Sequence, residues 1–237
     1  GVNVSLMTGL GSGGDADGDT LVKIENLTGS NFDDTLEGNA GNNVLAGGTN
    51  GAAGDTASYE HATAGVTVNL AATSAQNTVG AGSDTLTGFD NITGSAFNDT
   101  LYGTIGVNTI AGGNGGDKIT GGGGADILTG GQGADKFVFT ALTDSAPSAG
   151  DVITDFVHGS DIIDLSAIDA NSSTAGTQAF LFGGQNANVV GRSVTWFEDL
   201  INGNTIVQAD VNGNTTADIS IILTGLNHHL TASDFIL

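Results

Sequence analysis

Aspartates recur at a fixed place behind glycines. From Gly112 the chain reads GGNGGDKIT, GGGGADILT and GGQGADKFV, three consecutive nonapeptides ending at Val138. Each has two leading glycines, a glycine at the fourth place, an aspartate at the sixth and a large apolar residue at the eighth. The aspartates are Asp117, Asp126 and Asp135, and the apolar residues are Ile119, Leu128 and Phe137. Glycine lets the backbone take left-handed turns and brings carbonyl oxygens close together. Carbonyls plus a carboxylate make the all-oxygen shell that a hard cation such as Ca2+ takes. With no cysteine and four scattered histidines, softer metals find few ligands.

The charge balance points the same way. Among 237 residues, 26 are acidic and 4 basic, a formal net charge of −22. Such a polyanion is repelled by nucleic acid phosphates and anionic lipid head groups, so no nucleic acid partner is expected; it attracts cations. No apolar run reaches the ~18–20 residues of a membrane-spanning helix, so no membrane span is expected. No N-terminal signal peptide is visible, and the absence of cysteine excludes a disulfide scaffold.

Glycine fills 40 positions, and its periodicity marks a repeat rather than disorder. The frame continues backward as GTIGVNTIA with Asn108, GSAFNDTLY with Asp99 and TLTGFDNIT with Asp90. A longer repeat of about 65 residues lies over it: GVNVSL matches GVTVNL, and GDTLVKIENLTGSNFDDTLEG matches SDTLTGFDNITGSAFNDTLYG. Asp34 thus corresponds to Asp99, Asn43 to Asn108, and Gly47-Gly48 to Gly112-Gly113, with three residues inserted before Asp55. The chain opens inside a copy, which implies a longer parent.

The elements that must position these groups follow from the spacing. After each turn a three-residue strand points its middle side chain inward, because alternate residues face opposite sides. Two nonapeptides make one coil, so residues 18 apart stack. One column then holds Asp99, Asp117 and Asp135, the other Asp90, Asn108, Asp126 and Asp144. One buried apolar residue per nine returns too little to order the backbone, and stacked aspartates repel, so the metal-free roll is expected to be loose. Past Phe139 glycine thins and apolar alternation strengthens in AFLF at 179–182, NTIVQADV at 204–211 and ADISIILTG at 217–225. These read as antiparallel strands with turns at Asn202-Gly203 and Asn212-Gly213. The fold class expected is all-β: a parallel β-roll or β-helix of Gly/Asp-rich nonapeptides, then a β-sandwich-like C-terminal cap.

The nonapeptide GGxGxDxUx is the signature of calcium-binding RTX proteins, and residues 94–138 resemble the haemolysin-type repeat block of type I secreted bacterial proteins. DKFVFTALTDS followed by DVITDFVHGSDIIDLSAID resembles the C-terminal domain of serralysin-type metalloproteases, and the end, Ser233-Asp234-Phe235-Ile236-Leu237, resembles their secretion signal. The resemblance implies degenerate roll copies at 1–93, a consensus calcium-binding roll at 94–138 and a serralysin-like C-terminal β domain at 139–237.

It also implies several ions, each between turns 18 residues apart. One site is Gly112, Asn114 and Asp117 with Gly131, Gly133 and Asp135. A second is Gly94, Ala96 and Asp99 with Gly113, Gly115 and Asp117; a third is Gly103, Ile105 and Asn108 with Gly122, Gly124 and Asp126. A fourth joins Gly121, Gly123 and Asp126 to Asp144, with Asp151 beside it. In the first copy Gly29, Asn31 and Asp34 pair with Asp55, and residues 20–55 are read equally as a fully metal-loaded β-helix or as a metal-free or partly occupied one. Gly11–Asp19 is read evenly as linker or repeat. Asp155, Asp161 and Asp164 are read as turn caps, and Asp210–Asp218 as a plain turn rather than an EF-hand loop.

No HExxH helix, GxSxG elbow or phosphate loop is present, so the chain is not read as an enzyme. Tyr59-Glu60-His61 is read as core packing plus a solvated histidine, and His228-His229 as surface. The favoured function is a calcium-responsive folding and export module of a secreted, extracellular Gram-negative protein. Its partners would be calcium, the type I secretion machinery at its C-terminal end, and an upstream catalytic or adhesive domain. Alternatives are a polysaccharide-binding module resembling the R-modules of mannuronan epimerases, and an adhesin or surface-layer segment.

Overall fold

The three-residue strands of the repeat stack into walls. In a computed structural model of the chain, which describes all residues except Asn50 and Ser172, one wall is a 12-stranded sheet. Its central rungs place Ala57, Ile92, Ile110, Leu128 and Ile153 side by side in parallel register. The facing wall has six strands, whose rungs align Val68, Leu101, Ile119, Phe137, Ile163 and Phe235. All eleven of these side chains are buried, and they form the core. Their neighbours point outward, as Ile127 does beside Leu128. Asn50, in the stretch inserted before Asp55, lies outside the described residues.

Residues 1–93, apart from Thr67–Asn69 in the six-stranded wall, use the same large wall with a different partner. Val4 and Leu36 continue it from Ala57, while Leu27, Leu45 and Leu86 line up in a separate four-stranded sheet. The chain crosses between the two partner walls, with Leu45 in the four-stranded sheet, Val68 in the six-stranded one, Leu86 back in the four-stranded and Leu101 again in the six-stranded. The long repeat survives this switch: the Val2 N–H donates to Asp34 Oδ1 at 2.7 Å, and the Val66 N–H to Asp99 Oδ1 at 2.7 Å. Gly11–Asp19 folds back at the edge of the large sheet rather than running out as a linker. Leu10–Ser12 pairs antiparallel with Asn3–Ser5 at the edge of the large sheet, and Asp19 returns to accept the Gly11 N–H.

The C-terminal region extends both walls. Ile219–Thr224 runs parallel to Val152–Ile153, and Asn204–Ala209 and Ser193–Asp199 add to it as antiparallel strands. Gly203, at φ +72°, makes the first of the two expected turns. Leu181–Gln185 departs from the expected antiparallel order and pairs parallel with Ser193–Asp199. Phe235–Ile236 closes the opposite wall beside Ile162–Asp164. The described residues contain no α-helix, and none of their helical segments is long and apolar enough to cross a membrane.

Candidate metal centre

Stacked coils bring the sixth-place side chains into ladders. The Asp99 N–H donates to Asp117 Oδ1 at 2.8 Å, the Asp117 N–H to Asp135 Oδ1 at 2.8 Å, and the Asp135 N–H to Asp161 Oδ1 at 3.0 Å. On the other edge the Asn108 N–H donates to Asp126 Oδ1 at 2.8 Å, and the Asp126 N–H to Asp151 Oδ1 at 2.9 Å. The first copy has its own rungs, Asp34 N–H to Asp55 Oδ1 at 2.7 Å and Asn43 N–H to Asp84 Oδ1 at 3.0 Å. Each rung fixes one carboxylate oxygen, and in Asp55, Asp117, Asp126 and Asp135 the other lies beside Gly47, Gly112, Gly121 and Gly130 respectively.

In five places that second oxygen is buried with no hydrogen-bond partner: the Oδ2 atoms of Asp55, Asp117, Asp126, Asp135 and Asp151. An ionised oxygen in that state is costly unless a cation or proton meets it. Burial, reinforced by the charges of Asp99 and Asp135, pushes the Asp117 carboxyl up to about 7, with the Asp99 N–H partly offsetting it. Burial lifts Asp126 to about 6 and Asp151 to about 8, with repulsion from Asp144 adding to both. Asp55, Asp135 and Asp161 are raised mainly by burial as well. Asp34 goes the other way: burial works against its charge, but the Ser30 and Val2 N–H groups and the Ser30 hydroxyl hold it below the usual range.

Carbonyl oxygens crowd the same turns. Gly113 has φ +113°, and the Ser95 carbonyl stands where its side chain would be. Gly131, at φ +102°, meets the Gly113 carbonyl in the same way. The structure therefore brings Gly112, Asn114 and Asp117 against Gly131, Gly133 and Asp135, with Gly113 opposite Gly131 and Asn114 opposite Gln132. Gly94, Ala96 and Asp99 lie against the turn of Gly113, Gly115 and Asp117, where the Phe97 backbone abuts Gly115. Gly103, Ile105 and Asn108 lie against Gly122, Gly124 and Asp126, where the Thr104 and Gly106 carbonyls abut Gly122 and Gly124. In the first copy Gly29 abuts the Gly47 carbonyl and Asp34 Oδ2, and Asn31 accepts the Thr49 hydroxyl at 2.8 Å.

Two placements differ from the spacing argument. Asp144 does not follow Asp126 in its column; Asp151 does, 25 residues on. The turn before Asp144 lacks the glycines, and its Oδ2 accepts the Thr140 and Ala141 N–H groups at 2.6 and 3.0 Å. Asp161, read as a turn cap, is also the next rung after Asp135. The 26-residue gap hides it from an 18-residue count, although its DIID context repeats the aspartate-then-strand pattern. Tyr59 is buried as expected, and its hydroxyl donates to Asp84 Oδ2 at 3.2 Å. His61 is held rather than free: its Nδ1 lies 2.9 Å from Oε2 of buried Glu37.

Among the described residues no three His, Asp or Glu side chains converge as a metal cluster. The donor set is instead carbonyls plus single carboxylates between coils, which suits Ca2+ and not a transition metal. The residues present fit the ion: orphaned carboxylate oxygens and glycine-exposed carbonyls face the same gaps.

The family model described as Peptidase M10 serralysin C terminal matches residues 16–237. Among solved structures, the R2 subunit of the AlgE6 mannuronan C5-epimerase of Azotobacter vinelandii is 26% identical over 61% of this chain and 91% of its own, with a TM-score of 0.40. The R3 subunit of that epimerase is 28% identical over 59% and 78%, with a TM-score of 0.35. The extracellular lipase LipA of Serratia marcescens is 13% identical over 99% of this chain and 42% of its own, at 0.30. No curated protein matches the chain.

Proposed function

Because the chain belongs to the serralysin C-terminal family, a class of non-catalytic, calcium-binding RTX domains of type I secreted extracellular proteins, we propose that it is a module whose folding is switched on by calcium after export. The observation that carries this reading is the set of five buried, unpartnered carboxylate oxygens, which the chain alone leaves uncompensated. Asp55, Asp117, Asp126, Asp135 and Asp151 would hold ions together with the glycine-turn carbonyls. When bound, Ca2+ supplies the positive charge that cancels repulsion along the ladders, so its binding free energy becomes folding free energy.

Export in the unfolded state fits the position of the chain end. Asp234 is fully buried, accepting the Gly159 N–H at 2.9 Å and the Thr231 N–H at 2.6 Å, with His158 Nδ1 2.9 Å away. Phe235 forms the last rung of the six-stranded wall. A secretion channel reading Asp234–Leu237 would have to do so before these contacts form. Circular dichroism in chelator at pH 8 should show little strand signal, with a cooperative gain on adding Ca2+ and none with Mg2+, which resists a crowded carbonyl shell. A chain fully folded in chelator at pH 8 would refute the switch. Removal of residues 234–237 should abolish export from a host carrying a type I transporter; undiminished export would remove the signal role.

A further inference from the structure

The sixth-place side chains fall into two groups, and the residue four places earlier sorts them. In one group the N–H of that residue donates back to the side chain. Ser30 N–H donates to Asp34, Asn39 to Asn43 at 2.8 Å, and Ser95 to Asp99 at 2.6 Å. Thr104 donates to Asn108 at 2.6 Å, Thr140 to Asp144 at 2.6 Å, and Val157 to Asp161 at 2.8 Å. The hydroxyls of Ser30, Ser95, Thr104 and Thr140 add a second bond to the same side chains. None of the six donors has a positive φ.

In the other group the place is taken by a residue that makes no such bond. Gly113, Gly122 and Gly131 sit at φ +113°, +94° and +102°, and the Oδ2 atoms of Asp117, Asp126 and Asp135 are orphaned. In the first copy the three-residue insertion sets the equivalent glycine, Gly48 at φ +113°, seven places before Asp55, which is orphaned too. Before Asp151 the residue is Pro147, the single proline of the chain, which has no N–H to give. Asp84 stands apart, its second oxygen receiving the Tyr59 hydroxyl.

We propose that this position is a selector: left-handed glycine or proline reserves the carboxylate for a cation, whereas serine, threonine, asparagine or valine locks the side chain with the chain's own N–H and makes the turn independent of metal. Asp55, Asp117, Asp126, Asp135 and Asp151 are then the carboxylate ligands. Asp34, Asp99, Asp144 and Asp161 are staples, as are the amides of Asn43 and Asn108. Those amides complete the arrangement by donating to the Glu25 and Asp90 carbonyls of the preceding coil, both at distances of 2.6–2.7 Å. Three successive metal turns, at Asp117, Asp126 and Asp135, thus lie between metal-free turns at Asp99 and Asn108 on one side and Asp144 on the other. The inference rests on the calcium reading above and divides its candidate ligands.

The test is the calcium content of the full chain after dialysis, measured by plasma emission, for wild type, Asp99→Asn, Asp117→Asn and Ser95→Gly. Asp99→Asn should fold in calcium and keep the wild-type number of ions, since asparagine already serves at 43 and 108. Asp117→Asn should lose at least one ion, and Ser95→Gly, which removes the hydroxyl and frees the backbone, should gain one. Asp99→Asn losing as many ions as Asp117→Asn, or failing to fold in calcium, overturns the proposal. So does unchanged content in Ser95→Gly. A wild-type chain that binds no calcium would refute the folding switch itself, a result distinct from either of these.

Discussion

Proton and calcium should compete for the same buried oxygens, and the direction is set by the carboxyls of Asp117, Asp126 and Asp151. Burial raises them to about 7, 6 and 8 in the fold, while in the unfolded chain they return to ordinary carboxylate values near 4. Between those limits the fold holds protons that the unfolded chain has released, so the metal-free fold loses stability as pH rises. Three such groups give a slope of about 4 kcal/mol per pH unit near pH 5, flattening as each folded-state value is passed. The metal-free protein should therefore be compact at pH 5 and open at pH 8. Below about pH 4 the trend reverses, because Asp34 and Asp234 are held below the usual range and the stability they lend above it is lost on protonation. With calcium the order inverts: the apparent affinity should weaken about tenfold or more from pH 8 to pH 6, and calcium added to unbuffered protein at pH 6 should release protons. The assay is urea unfolding followed by circular dichroism at pH 5 and 8, in chelator and in excess calcium. A chelator-treated chain equally stable at both pH values would refute the argument that these oxygens are uncompensated.

Other outcomes follow from single contacts. Gly131→Ala puts a methyl against the Gly113 carbonyl at φ +102° and should raise the calcium concentration for folding, whereas Gly106→Ala, with only the Thr104 hydroxyl 3.6 Å away, should leave it unchanged. Leu128→Ala hollows the centre of the large wall and should cost about 2–5 kcal/mol in calcium-saturated urea melts. Tyr59→Phe removes the hydroxyl from Asp84 and should cost about 1–3 kcal/mol by the same measure. His158→Ala should accelerate hydrogen exchange at the Ile236 amide more than at Ile119, because His158 secures Asp234 and hence the terminal strand.

Much of the roll is legible because glycine, aspartate and the inward apolar residue keep phase together. The 18-residue stacking of Ile92, Ile110 and Leu128, and of Leu101, Ile119 and Phe137, is what the nonapeptide spacing dictates. The count fails where the turns lengthen. Asp144 satisfies the arithmetic after Asp126, yet the chain uses Asp151, because a glycine-free turn closes on Asp144 by itself. The crossings between partner walls, from Leu45 to Val68 and back to Leu86, leave no local mark either. Val4 and Val68 sit in matching sequences but face different neighbours, and only long-range pairing distinguishes them. Within the glycine-rich roll the split between bonded and orphaned side chains follows GS, GN and GT against GG, but its meaning needs the hydrogen bonds.

Rungs only a few residues wide lie across the long axis of the roll, one coil upon the next. Tension applied along that axis therefore peels coils in succession instead of shearing a whole wall at once. Each 18-residue coil that lets go, such as the one from Ile110 to Leu128, releases about 60 Å of slack. Stretched between two anchored partners, the domain would yield as a ratchet of small, reversible steps.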